Sequence, residues 1–507
     1  MKYTVLDFLE ETAVSYPDKV AFSDINRSVT WKEFVINSKR KALFINKNFE
    51  PGSAVPVMCD KSVDALEFFF GAIYAGCFYS FFDSTFPETR LQSMVNTLNV
   101  TKVIAIKKNA AKIALLDNIQ PLFIEEIPEE ILDEEMLISL RNRIIDIDPV
   151  YANFTSGTTG IPKAVIVNHK NIIDFITCFT ELFNITSKDN IANQAPFDFD
   201  VSVKDIFSGV WTGASVYLIP KSYFSFPAKL LDFLEEHEIT TLIWAVSALC
   251  IISTLNGFSY KVPSKITKVM FSGEVMPIKH LKIWMNNIPE ATYVNLYGPT
   301  EITCNCTYYV LPNPIPDEFE LPIGIPFPNE RVLLLSEDNQ LITEPNLSGE
   351  LCVTGSCVSL GYYNNSKTQE VFTQNPLNCS TFERIYHTGD LAKLGTNGLL
   401  YYCGRKDFQI KHMGHRIELS EIEGALEKDE LISRSCCLFL ENKIIAFYTG
   451  NKKKPKDFVK DLKSIIPTYM IPSEFLFIEK LPITKNGKID RKELENYYFK
   501  EFHNNGN

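Results

Sequence analysis

The chain has 507 residues, with 50 Lys and Arg against 62 Asp and Glu, for a formal net charge of −12. Its 45% hydrophobic and 12% aromatic residues exclude intrinsic disorder and supply a large core, and the length suits about three domains or one large body with a smaller appendage. The acidic balance gives no general attraction for nucleic acid or an anionic membrane surface, so any nucleotide contact has to be local.

In chain order, residues 5–16 carry a helical apolar pattern, and short strand-like runs follow at 53–58 and 102–106. That alternation predicts parallel α/β units. The apolar stretch 68–82 is too short for a membrane span, is broken by Gly71 and Gly76, and is flanked by Asp64, Glu67 and Asp83. It reads as a buried helix followed by a buried strand, with no membrane insertion. Residues 125–135 are strongly acidic and read as a solvated surface segment ahead of the apolar run 150–154. A helix is expected to begin near Val201. After residue 310, Pro312, Pro314, Pro316, Pro322, Pro326 and Pro328 preclude a long helix and shift the pattern toward short strands. The last ~100 residues, from Asp407, fit a separate small domain. The expected fold is therefore α/β: a large N-terminal body of α/β subdomains plus a β-rich subdomain (1–406), and a small mobile α+β C-terminal domain (407–507).

Twelve cysteines are scattered along the chain, and no basic, apolar leader opens at Met1-Lys2-Tyr3, so a reducing cytoplasm is the expected location. Cys304-Asn305-Cys306 and His412-Met413-Gly414-His415 lack a second ligand pair at zinc-site spacing and read as structural.

The most informative stretch is Phe154-Thr155-Ser156-Gly157-Thr158-Thr159-Gly160-Ile161-Pro162-Lys163. Glycines let backbone N–H groups approach a polyphosphate and hydroxyls add donors, so this is a phosphate cradle or a plain Gly/Thr-rich turn. It is not a Walker A loop, because Pro162 precedes the lysine and Ala164 follows it. Three further segments come in order: Asn295-Leu296-Tyr297-Gly298-Pro299-Thr300-Glu301, with an aromatic ring and a carboxylate able to hold Mg2+; Tyr386-His387-Thr388-Gly389-Asp390 with residues 404–418; and Asn486-Gly487-Lys488-Ile489-Asp490-Arg491. Each alone could be a charged turn, but all four in this order are not a chance set.

Together they resemble the adenylate-forming (AMP-binding) superfamily, specifically the stand-alone amino-acid adenylation enzymes akin to nonribosomal peptide synthetase adenylation domains and D-alanine:D-alanyl carrier protein ligases. The resemblance spans nearly the whole chain, departing at Ala164, where glycine is usual, and at Phe81-Phe82-Asp83. It implies an ATP-dependent ligase with Mg2+. A carboxylate attacks the α-phosphate, pyrophosphate leaves, and a thiolate then takes the acyl group, catalysis being largely positioning and electrostatics. The resemblance assigns Thr155, Ser156, Gly157, Thr158, Thr159 and Lys163 to the polyphosphate, Glu301 to Mg2+ and Thr300 to the nucleotide. Tyr297 would stack on adenine with Asn295 at its edge, and Asp390 would accept from the ribose hydroxyls beside Arg405. Lys488 becomes the catalytic cation, although a lysine beside Asp490 and Arg491 reads without the family as a solvated one. Asp407 falls at the family's hinge, about which the small domain rotates between the two steps, whereas from the residues alone Arg405-Lys406-Asp407 could equally be a static charged turn.

In amino-acid-activating relatives an aspartate at the position of Asp200 pairs with the substrate's α-ammonium; the ordinary alternative is a helix cap. The rest of the implied pocket is Val201, Lys204, Ile243, Met270, Ser272, Leu296, Cys304 and Asn305. Lys204 and Asn305 suit an acidic or polar side chain, whereas Lys204 turned outward would leave a small apolar pocket suited to alanine. The likeness of residues 197–203 and 272–277 to D-alanine ligases tips the expectation toward the small side chain. The implied acceptor is a separate phosphopantetheinylated carrier protein, with Lys452, Lys453, Lys454 and Lys456 as either its docking charges or a solvated face. The alternatives are an acyl-coenzyme A synthetase of a small carboxylic acid, or a noncatalytic nucleotide-binding protein.

Overall fold

The computed structural model describes residues 2–157, 161–483 and 489–500. Local sequence explains where its elements start. Thr30 and Glu33 cap the helix Trp31–Asn48 reciprocally: Thr30 N donates to Glu33 Oε2 at 2.8 Å and Glu33 N to Thr30 Oγ1 at 3.2 Å. The apolar run at 68–82 forms the end of helix Val63–Tyr74 and strand Phe78–Phe81, both buried as expected. Strands at Ala54–Met58, Lys102–Ala105 and Pro149–Thr155 also fall where the apolar runs lie.

Among the described residues, the strands form two large sheets and three smaller ones. The larger has six parallel strands in the order Thr292–Tyr297, Lys268–Ser272, Thr241–Ala245, Asn190–Asn193, Ser215–Leu218, Val20–Ser23, with antiparallel strands at both edges. The other, seven-stranded, places Pro149–Thr155 beside Phe78–Phe81 in a parallel core that also includes Ala54–Met58 and Lys102–Ala105. Helices Trp31–Asn48, Val63–Tyr74, His169–Leu182 and Val201–Thr212 contribute to one continuous apolar cluster with residues of both sheets. Packing is tight there: a Cβ on Gly71 would stand 2.7 Å from Lys41 Cβ, so only glycine lets these two helices approach.

The proline-rich region leads into a five-stranded antiparallel sheet that includes Ser348–Gly355, Arg384–Leu394 and Leu400–Arg405. Beyond it come the hairpin Gln409–His412/His415–Glu418 and a three-stranded sheet, Ile432–Leu440, Lys443–Gly450 and Glu474–Phe477, with its own apolar clusters. The α/β class with a β-rich region and an α+β C-terminal segment is thus observed. Residues 125–135 are largely exposed, as expected of an acidic surface segment. No helix among the described residues is long and apolar enough to cross a membrane.

Candidate active site

The candidate residues gather where the parallel strands of the larger sheet end, the position at which open α/β sheets leave a crevice for ligands. Strand Thr292–Tyr297 delivers Tyr297, and the single 3-10 turn Thr300–Ile302 carries Glu301. The chain then doubles back, with φ of +56° at Thr303 and +81° at Cys304, both in the left-handed region. Thr303 Oγ1 donates to Cys357 O at 2.8 Å and holds the turn. A Cβ on Gly298 would lie 2.5 Å from Asn305 Cα, so glycine is required for this close approach.

Three groups of side chains result. In the first, the Tyr297 hydroxyl donates to Asp390 Oδ2 and Arg405 Nη1 to Asp390 Oδ1, with Asp390 buried. Arg405 also holds Asp407 through Nε to Oδ1 at 2.6 Å and Nη2 to Oδ2 at 2.9 Å. One face of the Tyr297 ring carries Lys411 Nζ, 5.0 Å from its centroid. Asn295 Nδ2 donates to Pro322 O at 2.8 Å.

The second group centres on Glu301, 1% exposed. Its Oε1 accepts from the Tyr362 hydroxyl and its Oε2 from Arg416 Nη1, each at 2.8 Å. Burial opposes the charge, but Arg416 and Tyr362 outweigh it and hold the carboxyl below its ordinary value. Lys163 Nζ stands 5.0 Å over the Tyr362 ring; burial pushes its pKa down, with Glu301 countering. Thr155 ends the strand Pro149–Thr155, and Ser156 Oγ donates to Arg416 O at 2.8 Å. Gly157 follows directly, while Thr158, Thr159 and Lys488 lie outside the described residues.

The third group is a small cavity lined by Asp200, Val201, Ser272, Gly298, Thr300, Cys304 and Asn305 among others. Asp200 occupies the N-cap position of helix Val201–Thr212 but makes no side-chain cap bond, so the capping alternative is not realised. Burial raises its pKa, relieved by Thr300 and Lys204. Ile243, Met270 and Leu296 are fully or almost fully buried in the strands behind. Lys204 corrects the outward orientation expected for an alanine-sized pocket. It is 0% exposed, and its Nζ donates to Asn305 Oδ1 at 2.8 Å and Ser272 Oγ at 3.1 Å. Its ammonium is therefore turned inward from the helix onto these two acceptors instead of outward to solvent.

Sequence reasoning gave no role to several residues that the geometry brings here. The hairpin turn Met413-Gly414 has φ of +52° and +81°, the signature of a type I′ turn, and inserts Gly414 N against Glu274 Oε1 at 2.6 Å. Arg416 and Lys411 arrive on the same hairpin. Behind it, Arg90 Nη1 and Glu421 Oε1 form an ion pair of 2.8 Å with both side chains nearly buried. The Gly-His-Arg-Ile-Glu segment was the available signal for Arg416; nothing local marks Arg90. His415 stacks on Tyr469 with centroids 3.6 Å apart, and His412 packs against Phe439, so the histidine pair serves packing. Lys453 pairs with Asp429 and Asp461, which removes it from the solvated lysine face. A cleft of about 1350 Å³, lined by Met276, His280, Tyr297, Arg405, Lys411, Phe439 and Arg491 among others, runs from the Tyr297 group outward between the body and the C-terminal segment.

A family model described as AMP-binding enzyme matches residues 9–363. The D-alanine–D-alanyl carrier protein ligase of Staphylococcus aureus is 31% identical over 512 residues, covering 97% of this chain and 98% of the ligase. Tyrocidine synthase 1 of Brevibacillus parabrevis is 31% identical over 504 residues; the match takes in 97% of this chain but only 45% of the synthase. Among solved structures, a Vibrio cholerae adenylation domain in complex with glycyl-adenosine-5′-phosphate superposes with a TM-score of 0.83 at 19% identity, covering 99% of this chain and 98% of the other, which establishes likeness of fold.

Proposed function

The chain belongs to the AMP-binding enzyme family, and from that premise we propose that it adenylates an amino acid with ATP, releasing pyrophosphate, and passes the aminoacyl group to the phosphopantetheine thiol of a separate carrier protein. The observation that carries this reading is the convergence of Asp200, Glu301, Lys163 and the Tyr297–Asp390–Arg405 group at one crevice. Asp390, oriented by Tyr297 and Arg405, accepts from the ribose hydroxyls. Thr155, Ser156 and Lys163 hold the polyphosphate, and the resemblance adds Thr158 and Thr159, which lie outside the described residues. Asp200, buried and free of a cap bond, takes the substrate's α-ammonium, which favours an amino acid over a fatty or aryl acid.

The residues fit a Mg2+ ion that enters with ATP. Glu301 is a single buried carboxylate kept ionised beside Lys163, and Mg2+ takes one or two carboxylates plus substrate phosphates. When bound, the ion neutralises charge on the phosphate oxygens. Lys488 supplies the cation that bridges the attacking carboxylate and the α-phosphate. Residues 407–507 form the small domain that turns about Asp407 between the two steps. The arrangement described here suits the second step, with the hairpin in the crevice and the 1350 Å³ cleft giving a thiol-bearing arm a route inward. The reducing cytoplasm is the proposed compartment, and the twelve free cysteines suit it.

The test is exchange of labelled pyrophosphate into ATP over a panel of amino acids. Exchange with an amino acid and its loss by about 100- to 1000-fold in Lys488→Ala, the order for removing one transition-state stabiliser, support the proposal. Activity only on carboxylic acids without an α-amino group would transfer the reading to an acyl-coenzyme A synthetase.

A further inference from the structure

Outside the three groups of the crevice, the antiparallel sheet brings together the carboxylate of Glu350, the thiol of Cys352 and the imidazole of His387, with one ligand atom of each within 4.8 Å of the other two. Among the described residues no other three His, Cys, Asp or Glu side chains gather so closely. Strand pairing builds the cluster. Cys352, on Ser348–Gly355, stands directly opposite His387, on Arg384–Leu394. From there to the pair of Glu350 with Leu391, the first strand advances two residues and the second four. The surplus is a bulge at Gly389, whose φ is +72° and whose N–H donates to Glu350 Oε1 at 3.1 Å. That bond leaves Oε2 for His387.

His387 Nδ1 lies 3.0 Å from Glu350 Oε2 and 3.4 Å from Cys352 Sγ. One ring nitrogen carries either a proton or a lone pair, so it cannot donate to the carboxylate and accept from the thiol together. A metal ion engages all three atoms at once. Tetrahedral zinc, with bonds of about 2.3 Å to sulfur and about 2.0–2.2 Å to nitrogen and oxygen, sets separations of about 3.5 Å for S···N and about 3.3 Å for N···O. The observed separations fall within a few tenths of an ångström of these. The other ring nitrogen, Nε2, has Thr373 Oγ1 at 3.2 Å, the kind of outer partner that fixes a ligating imidazole. Cys352 is fully buried and clusters with Leu333, Leu335 and Ile385, whereas the His387 and Glu350 side chains are 20% and 12% exposed. The thiol is thus at the back of the site and its mouth is open to solvent.

We propose that Glu350, Cys352 and His387 form a binding site for a borderline-soft divalent cation of the Zn2+ class, with the fourth position open to water. A thiolate and an imidazole suit such an ion and do not suit Mg2+, so the site differs in chemistry from the one assigned to Glu301. Lys406 is the incumbent counter-charge: its Nζ donates to Glu350 Oε2 at 3.1 Å, and its side chain is 40% exposed, so it leaves for water at the small cost of an exposed ion pair. On binding, a metal–sulfur bond replaces S–H and the thiol proton passes to solvent, while the ring keeps its one proton on Nε2 toward Thr373. The inference is independent of the adenylation reading.

Two measurements test this. The first is equilibrium binding of Zn2+ to the full chain after chelator treatment, read by competition with a chromophoric indicator, for the wild type, Cys352→Ser, His387→Gln and Cys403→Ser. Cys403 is exposed and controls for adventitious binding to a surface thiol. The expected result is one Zn2+ per chain, with affinity unchanged in Cys403→Ser and lowered at least about 10-fold in each of the other two, the lower bound for losing even an outer partner of a metal. Absence of binding, a smaller fall in either ligand variant, or an equal fall in Cys403→Ser overturns the inference. A substitution within the sheet can disturb folding, so the second measurement uses the wild type alone: X-ray absorption at the zinc edge of the one-to-one complex. One sulfur at about 2.3 Å with nitrogen and oxygen at about 2.0–2.2 Å supports the site. A shell with no sulfur, or with two or more, overturns it.

Discussion

The ion pair between Arg90 and Glu421 gives the sharpest test of how the C-terminal segment is held against the body. Arg90 lies on helix Glu88–Leu98 of the body and Glu421 on helix Leu419–Leu426 beyond the hairpin, and their side chains are 6% and 7% exposed. Burial raises the pKa of Glu421, only partly relieved by Arg90, and its second oxygen has no partner. Replacing Arg90 with methionine leaves that carboxylate buried and alone while the segment is docked, but solvated once it moves away. The penalty thus falls on the docked arrangement. Breaking a buried pair by removing one partner costs about 3–5 kcal/mol; the lower figure changes the docked-to-undocked ratio by somewhat over a hundredfold, at 1.36 kcal/mol per decade. Under the proposed two-step reaction, Arg90→Met should leave pyrophosphate exchange within about twofold of wild type. Single-turnover transfer from preformed adenylate to a pantetheine thiol should fall by tenfold or more, an order set by the same ratio. Glu421→Gln, which keeps an acceptor for Arg90, should do less. Equal loss of both half-reactions, or loss of neither, would refute the reasoning.

Two other perturbations bear on the buried charges. Glu301→Gln removes the carboxylate proposed for Mg2+ and the partner of Arg416, so exchange should drop by about 100-fold, as for loss of one electrostatic stabiliser, and should need more Mg2+ for half-maximal rate; an unchanged Mg2+ titration would count against the assignment. Asp205 is pushed by burial up to about 8, against an ordinary value of 3.8. Between those values the folded protein keeps a proton that the unfolded chain gives up, so this group's contribution to stability declines as pH rises from about 4 to 8, with a slope of up to about 1.4 kcal/mol per pH unit. Asp205→Asn cannot ionise. Its thermal midpoint relative to wild type should therefore climb from pH 5 to pH 8.5, and a flat difference would contradict the burial argument. Lys61, pushed down to about 7 and donating to the carbonyls of Asn193 and Gln194, adds an opposite slope above pH 7 that is present in both proteins to first order and largely cancels.

Sequence reasoning reached the fold class because its signals are local and periodic. Helices such as Val5–Ser15 and strands such as Lys102–Ala105 fall where apolar spacing predicted them, and the proline cluster after residue 310 does introduce a β-rich region. The phosphate loop, the Tyr-Gly-Pro-Thr-Glu segment and the residues around Asp390 were legible as motifs, and the match to the AMP-binding enzyme family agrees with the resemblance they carried. What stayed illegible depends on the burial and pairing of single side chains across long separations. Lys204 could be placed in the pocket but its direction could not, because a lysine four residues past Asp200 reads the same whether its helix faces water or core. Arg90 and Glu421 are 331 residues apart, and neither sits in a pattern that names the other. Arg416 lay in plain view, yet only the hairpin's tight turn shows that it reaches Glu301.

That last contact ties the site's electrostatics to its order of events. Glu301 is one carboxylate in a buried place, with Tyr362 on one oxygen and Arg416 on the other. A hard dication on the same carboxylate would be opposed by a guanidinium that cannot lose its proton, and the burial of Glu301 strengthens that repulsion. Arg416 and Mg2+ are therefore alternatives at Glu301, not neighbours. Lys411 repeats the logic one group away: its ammonium covers a face of Tyr297 and feels Asp390, so it too supplies positive charge in this arrangement. Under the proposed reading, a cation held by Glu301 would displace Arg416 from that carboxylate. Without such a cation, the buried Glu301 carboxylate takes its counter-charge from Arg416, as observed. Under the proposed reaction, the Arg416–Glu301 contact would therefore compete with Mg2+ for this carboxylate, which would tie docking of the hairpin to the second step.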